Sequence, residues 1–100
     1  MNHHNLFLIG YRCTGKTSVG KRLATFLDRA FVDTDSVIVS DARMDIRKIV
    51  AHHGWQEFRR LEHLALQQVC LSDRQIVATG GGIVLDGTNV ELMKNTGQVI

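Results

Sequence analysis

The chain has 100 residues, 44% of them hydrophobic and 22% charged, with a formal net charge of +2. This composition excludes a disordered segment, and the length suffices for one domain with one core. Basic and acidic residues are interspersed, so no stripe for nucleic acid emerges, and no apolar run has the length of a membrane span.

The first element is an apolar run, Leu6-Phe7-Leu8-Ile9, read as a buried strand over 5–9. Gly10-Tyr11-Arg12-Cys13-Thr14-Gly15-Lys16-Thr17 follows it, a complete G-x-x-x-x-G-K-T phosphate-binding loop. A helix over 16–28 comes next, with Val19, Leu23, Ala24, Phe26 and Leu27 as its apolar stripe. Strand, glycine loop and helix in that order suit a nucleoside triphosphate: backbone N–H groups and the helix N-terminus face the phosphates. Lys16 would bridge the β- and γ-phosphates, and the Thr17 hydroxyl would ligate Mg²⁺. The two cysteines, Cys13 in the loop and Cys70, show no metal-site spacing and are expected to stay unbridged. Reduced thiols and the lack of an export pattern point to the cytoplasm.

The pattern then predicts a strand over 31–33, a helix over 34–40 and a short helix over 46–52 with Asp45 as its N-cap. A longer helix over 55–71 carries Trp55, Phe58, Leu61, Leu64, Ala65 and Val69 at helical spacing. Residues 75–79 read as a strand ending in Gly80-Gly81-Gly82. Thr88 is expected to cap a last helix, 89–95, that stops at Gly97. Gln98-Val99-Ile100 opens another strand, and a sheet left at that point is expected to be incomplete at its C-terminal side. Alternating strands and helices imply an α/β fold, a parallel sheet flanked by helices, with ligands at the C-terminal ends of the strands.

The phosphate loop, Asp33-Thr34-Asp35 and the glycine triplet fall at those ends, and with a cluster around Arg59 on the longer helix the last two bear on the acceptor. In Asp33-Thr34-Asp35, one carboxylate can hold a Mg²⁺-bound water and the other can position an acceptor hydroxyl. An acid-rich helix start would explain the pair equally well. Arg59, beside Phe58, suits a two-pronged clamp on a substrate carboxylate, and Glu62, three residues on, can orient it. On its own, this cluster is more simply a solvated basic face over a core Phe58. Gly80-Gly81-Gly82 suggests close approach of backbone to a ligand, with an ordinary flexible turn as the plainer reading.

Taken together, these motifs resemble the shikimate kinase family: a phosphate loop, then Asp-Thr-Asp, then Gly-x-x-x-Phe-Arg-x-x-Glu, then a triple glycine. Here they stand at residues 10–17, 33–35, 54–62 and 80–82. The resemblance implies a P-loop, nucleoside-monophosphate-kinase-like fold and transfer of the γ-phosphate of ATP to the 3-hydroxyl of shikimate, a step of aromatic amino-acid biosynthesis. By it, Arg12, Cys13, Thr14, Gly15, Lys16, Thr17 and Ser18 would cradle the ATP phosphates. Thr17 and Asp33 would serve Mg²⁺. Asp35, Arg59, Glu62, Gly80, Gly81 and Gly82 would bind shikimate, with Lys16, Asp35 and Arg59 acting in catalysis. It also implies that residues 1–100 are the N-terminal part of a single domain lacking the family's arginine-bearing lid and adenine loop. Such a chain would be a weak or inactive catalyst alone. Family members are usually monomeric, and neither nucleic acid nor membrane is expected as a partner.

The chain departs from the family pattern at Arg43, where glycine is common, at Val50, where phenylalanine helps wall the pocket, and at Trp55, where an acid is typical; Ile46 matches. His52, His53 and His63 read as surface residues, and Asp86 and Asn89 receive no role. Two other readings stand beside the kinase: a kinase for another polyhydroxy acid such as gluconate, and a non-catalytic module binding nucleotide or shikimate.

Overall fold

The computed structural model describes residues 4–9 and 16–99. Its centre is a four-stranded sheet of β1 (Asn5–Leu8), β2 (Ala30–Asp33), β3 (Gln75–Ala78) and β4 (Gly97–Val99). The strands are parallel and ordered β2-β3-β1-β4. Phe7 lies opposite Val77, and Asp33 opposite Ala78, so the strands end together at one edge. The expected parallel α/β architecture is therefore present, and the expected strand at 98–100 is β4.

Alternation along the strands sends successive side chains to opposite faces. Leu6, Leu8, Phe31 and Ile76 turn to one face and pack against Leu23 and Ala24 of α1 (Lys16–Leu27). Phe7 and Val77 turn to the other and meet Leu66, Val69, Ile83 and Met93. Those four come from α3 (Ile46–Val69), a 3₁₀ turn at 81–85 and α4 (Gly87–Thr96). A third cluster, Ile38, Ile49, Phe58 and Ala65, joins α2 (Thr34–Ala42) to α3, with Ile46 and Val50 packed against it.

The apolar stripe expected on α1 is only half used. Leu23 and Ala24 reach the sheet, whereas Val19, Phe26 and Leu27 are exposed, Phe26 by 85%. The stripe is wider than the contact a single helix makes on this face, so its outer row turns away from the sheet.

Helix ends follow local chemistry. The Asp45 side chain accepts from the Lys48 amide and caps α3, as expected. Gly54 has φ 86° and ψ 169°, which breaks α3 into the two arms expected from the sequence. α2 runs on to Ala42, past the expected stop at 40, because Arg43 takes the left-handed cap at φ 56° and returns its N–H to the Val39 carbonyl. That conformation costs a non-glycine residue about 1 kcal/mol, which accounts for the preference for glycine there. The cap of α4 is Asp86, correcting Thr88: an Asp86 oxygen accepts from both the Thr88 amide and its hydroxyl. These bonds from the hydroxyl and the amide hold the Asp86 carboxyl below its usual range.

Candidate functional site

The common edge of the strands is stitched by two threonines. The Thr79 amide and hydroxyl both donate to the Leu8 carbonyl, at 3.0 and 3.3 Å, locking the end of β3 to the end of β1. The buried Thr34 hydroxyl donates to the Ala78 carbonyl at 3.5 Å, tying the start of α2 to β3. Thr34 was expected only as the middle of Asp33-Thr34-Asp35 and residue 79 only as the end of a strand, with no work assigned to either. Their strand-end position beside glycine or aspartate was the available signal.

Strand order reverses between β1 and β3, since the chain leaves β1 to one side for β2 and later returns past β1 to β4. A crevice opens above such a switch point. The predicted loop spans residues 10–15 between β1 and α1, so Arg12, Cys13, Thr14 and Gly15 lie outside the described residues. Lys16 and Thr17 open α1, and Ser18 is exposed in its first turn.

Asp33 ends β2 and caps α2, one carboxylate oxygen accepting from the Asp35 amide at 2.9 Å. A carboxylate has a second oxygen with further acceptor capacity. An oxygen donor of this kind fits Mg²⁺, which is held by one or two carboxylates with waters and phosphates rather than by a protein cage. No cluster of three or more His, Cys, Asp or Glu side chains suited to a metal exists among the described residues.

The structure brings Asp35, Arg59, Glu62, Gly80 and Gly82 together; Gly81 begins the 3₁₀ turn between the last two. A β-carbon on Gly80 would lie 3.3 Å from an Asp35 oxygen and 3.5 Å from a Glu62 oxygen. One on Gly82 would collide with the Arg59 guanidinium. The triple glycine is thus no loose turn: Ile83 N–H closes it onto the Gly80 carbonyl at 3.2 Å. Gly80 and Gly82 leave room for the guanidinium and two carboxylates to crowd the backbone.

Arg59 donates to Glu62 at 2.9 Å, and its guanidinium lies 5.4 Å from the Trp55 ring and 5.5 Å from that of Phe58. Glu62 is buried, while the Arg59 side chain is 38% exposed. One part of the fork is therefore fixed while the side chain keeps an exposed edge. Arg60 turns aside to an exposed pair with Glu57, so the two adjacent arginines have separate tasks. The sequence reading of Arg59 as oriented by Glu62 matches this geometry.

Burial pushes the Glu62 carboxyl above its ordinary value of 4.5; the Arg59 bond and charge oppose the rise, and Asp35 adds to it. A raised folded-state value means the native state holds the proton more tightly than the unfolded chain. The stability this gives is fully present below about pH 4.5 and is lost as pH rises through the folded value. We expect the stability difference between the parent and Glu62→Gln to shift against the parent over that window. Urea titrations of both from pH 4 to 8 read it, and a pH-independent difference would refute it.

His63 departs from expectation. It is partly buried, and its Nδ1 meets the Asn89 side-chain oxygen at 2.5 Å. Asn89 is itself 2% exposed and donates to the Ile83 carbonyl at 3.1 Å. No local pattern announces this pairing, because its partners lie 26 positions apart. His52 and His53 are exposed, as expected. Cys70 is free, and its thiol is pushed up by burial.

The comparisons with known proteins agree with one another. A family model described as shikimate kinase matches residues 12–100. The chain is 48% identical over 95 residues to shikimate kinase 2 of Photorhabdus laumondii subsp. laumondii, covering 95% of this chain and 54% of that protein. It is 48% identical over 96 residues to the shikimate kinase of Syntrophus aciditrophicus, covering 96% and 49%. Among solved structures, the shikimate kinase from Acinetobacter baumannii in complex with shikimate superposes with a TM-score of 0.93 at 34% identity, covering 98% of this chain and 55% of that one. The Aquifex aeolicus enzyme gives 0.89 at 29% identity, covering 95% and 56%. The chain spans about half the length of the curated relatives it matches.

Proposed function

Because the chain belongs to the shikimate kinase family, we propose that its protein transfers the γ-phosphoryl group of ATP to the 3-hydroxyl of shikimate. One observation carries the reading: a guanidinium with an exposed edge, two carboxylates and a glycine turn converge beside the crevice above β1 and β3. The open edge of Arg59 takes the shikimate carboxylate, and Glu62 keeps the fork turned toward it. Asp35 accepts a hydrogen bond from the acceptor hydroxyl and receives its proton as the oxygen attacks. Gly80, Gly81 and Gly82 let the ring approach the backbone. Arg12, Cys13, Thr14, Gly15, Lys16, Thr17 and Ser18 form the phosphate cradle, and Thr17 with Asp33 holds Mg²⁺. Bound with ATP, the ion neutralises charge on the transferring group. Residues 1–100 are then the N-terminal part of a single domain of this kind, acting as a monomer in the cytoplasm. Among the described residues no helix is long and apolar enough to cross a membrane.

Trp55 is the single tryptophan of these 100 residues and stands over Arg59, so its emission reads the occupancy of that arginine. With Mg²⁺-ADP present, shikimate should change the emission saturably and shift the amide resonances of Asp35, Arg59, Gly80 and Gly82. Gluconate should do neither. A larger response to gluconate would move the substrate to another polyhydroxy acid. Shikimate binding without phosphoryl transfer in the complete polypeptide would favour a binding module. No response to either acid overturns the substrate reading.

A further inference from the structure

We infer that His63 and Asn89 form a positioning tether that holds the glycine turn against Arg59, and that they set the affinity for the acceptor without touching it. The inference rests on the substrate reading above.

The path is continuous and buried at its centre. The Asn89 side-chain amide donates to the Ile83 carbonyl at 3.1 Å. The Ile83 N–H in turn donates to the Gly80 carbonyl at 3.2 Å, so one peptide neighbourhood closes the turn and anchors it. Because the amide nitrogen of Asn89 is spent on a carbonyl, its oxygen must act as an acceptor. The atom it meets at 2.5 Å, Nδ1 of His63, is therefore the donor and carries a proton.

His63 follows Glu62 directly and lies one helical turn beyond Arg59, so all three leave the same arm of α3. The circuit runs from α3 through α4 to the turn and back to the guanidinium lying against Gly82. Asn89 cannot drift, being 2% exposed, with its own N–H bound to the Asp86 carbonyl at 3.0 Å. A displacement of the turn would change the space beside Gly82 that Arg59 occupies. The tether thus fixes the spacing between the backbone and the guanidinium, which is the dimension the acceptor must fit.

The test uses His63, which is only partly buried, and the complete natural polypeptide. An asparagine side chain can present a nitrogen donor near the place of Nδ1, whereas leucine cannot. In His63→Leu, the dissociation constant for shikimate, read from Trp55 emission, should rise at least about fivefold, while that for Mg²⁺-ADP stays within about twofold. His63→Asn should recover most of the affinity. Independently of any ligand, hydrogen exchange at the Ile83 amide should quicken in His63→Leu and slow again in His63→Asn. Unchanged exchange at Ile83 in His63→Leu overturns the tether, as does unchanged shikimate affinity in a parent that binds it. If the parent ignores shikimate yet the exchange pattern appears, the tether stands and the substrate reading falls.

Discussion

In the complete polypeptide, Gly82→Ala is expected to lower kcat/KM for shikimate by about a hundredfold or more and, because buried Glu62 loses its partner, to lower the melting temperature by several degrees. The two halves of that result have one cause. The new methyl group would collide with the Arg59 guanidinium, the movable end of a long side chain, so the backbone need not yield. The guanidinium must swing away instead, leaving its 2.9 Å bond to Glu62 and its place beside Trp55 and Phe58. A misplacement of about 1 Å in a positioning group is enough to cost roughly a hundredfold. Arg59→Lys should match the defect by keeping the charge and losing the two-pronged fork. In both variants the loss falls on shikimate and spares the apparent affinity for ATP. Steady-state kinetics with each substrate varied decides it. Shikimate constants within twofold of the parent in Gly82→Ala would show that Arg59 does not need its place against the turn.

Gly97→Ala has a different character: it is expected to damage the fold. A β-carbon at this position would overlap the backbone carbonyl of Asn5, the residue paired with Gly97 across β1 and β4. Backbone inside a sheet cannot rotate away as a guanidinium can, so the strands must part. The cost is expected at about 3 kcal/mol, the upper end of typical overpacking, against a total stability of roughly 5–15 kcal/mol for a domain. Gly87→Ala is the control, because nothing lies within 4 Å of its added carbon. Urea unfolding of the two variants should separate them clearly, and equal midpoints would mean that β4 does not pair as described.

Much of this was legible in the residues themselves, for reasons that are local. The apolar run at the start of the chain, the Asp45 cap and the helix break at Gly54 depend on neighbours a few positions away, and each stands where the pattern puts it. The grouping of Asp35 with Arg59 and the glycine turn was reached only through the order of motifs; no periodicity places them together. What escaped was tertiary. Asp86 outcompetes Thr88 as a cap because its carboxylate reaches the Thr88 amide and hydroxyl together. Val19 and Phe26 look like core residues in a helical projection, yet the sheet engages only the row carrying Leu23 and Ala24. The pairing of His63 with Asn89 joins two helices, and only packing of α3 against α4 brings them within reach.

The order of the strands also bears on synthesis. Leu6 pairs with Ile76, and Asn5 with Gly97, so β1 has neighbours that are made about 70 and about 90 positions later. At roughly 5–20 residues per second, a ribosome leaves β1 without either neighbour for about 4 to 14 seconds. During that interval Leu6, Phe7 and Leu8 form an apolar strand with both edges open, the kind of segment that seeks pairing with other chains. A nascent chain of this topology therefore depends on chaperone shelter or fast translation up to β3, and slow codons between α1 and β3 should lower its soluble yield.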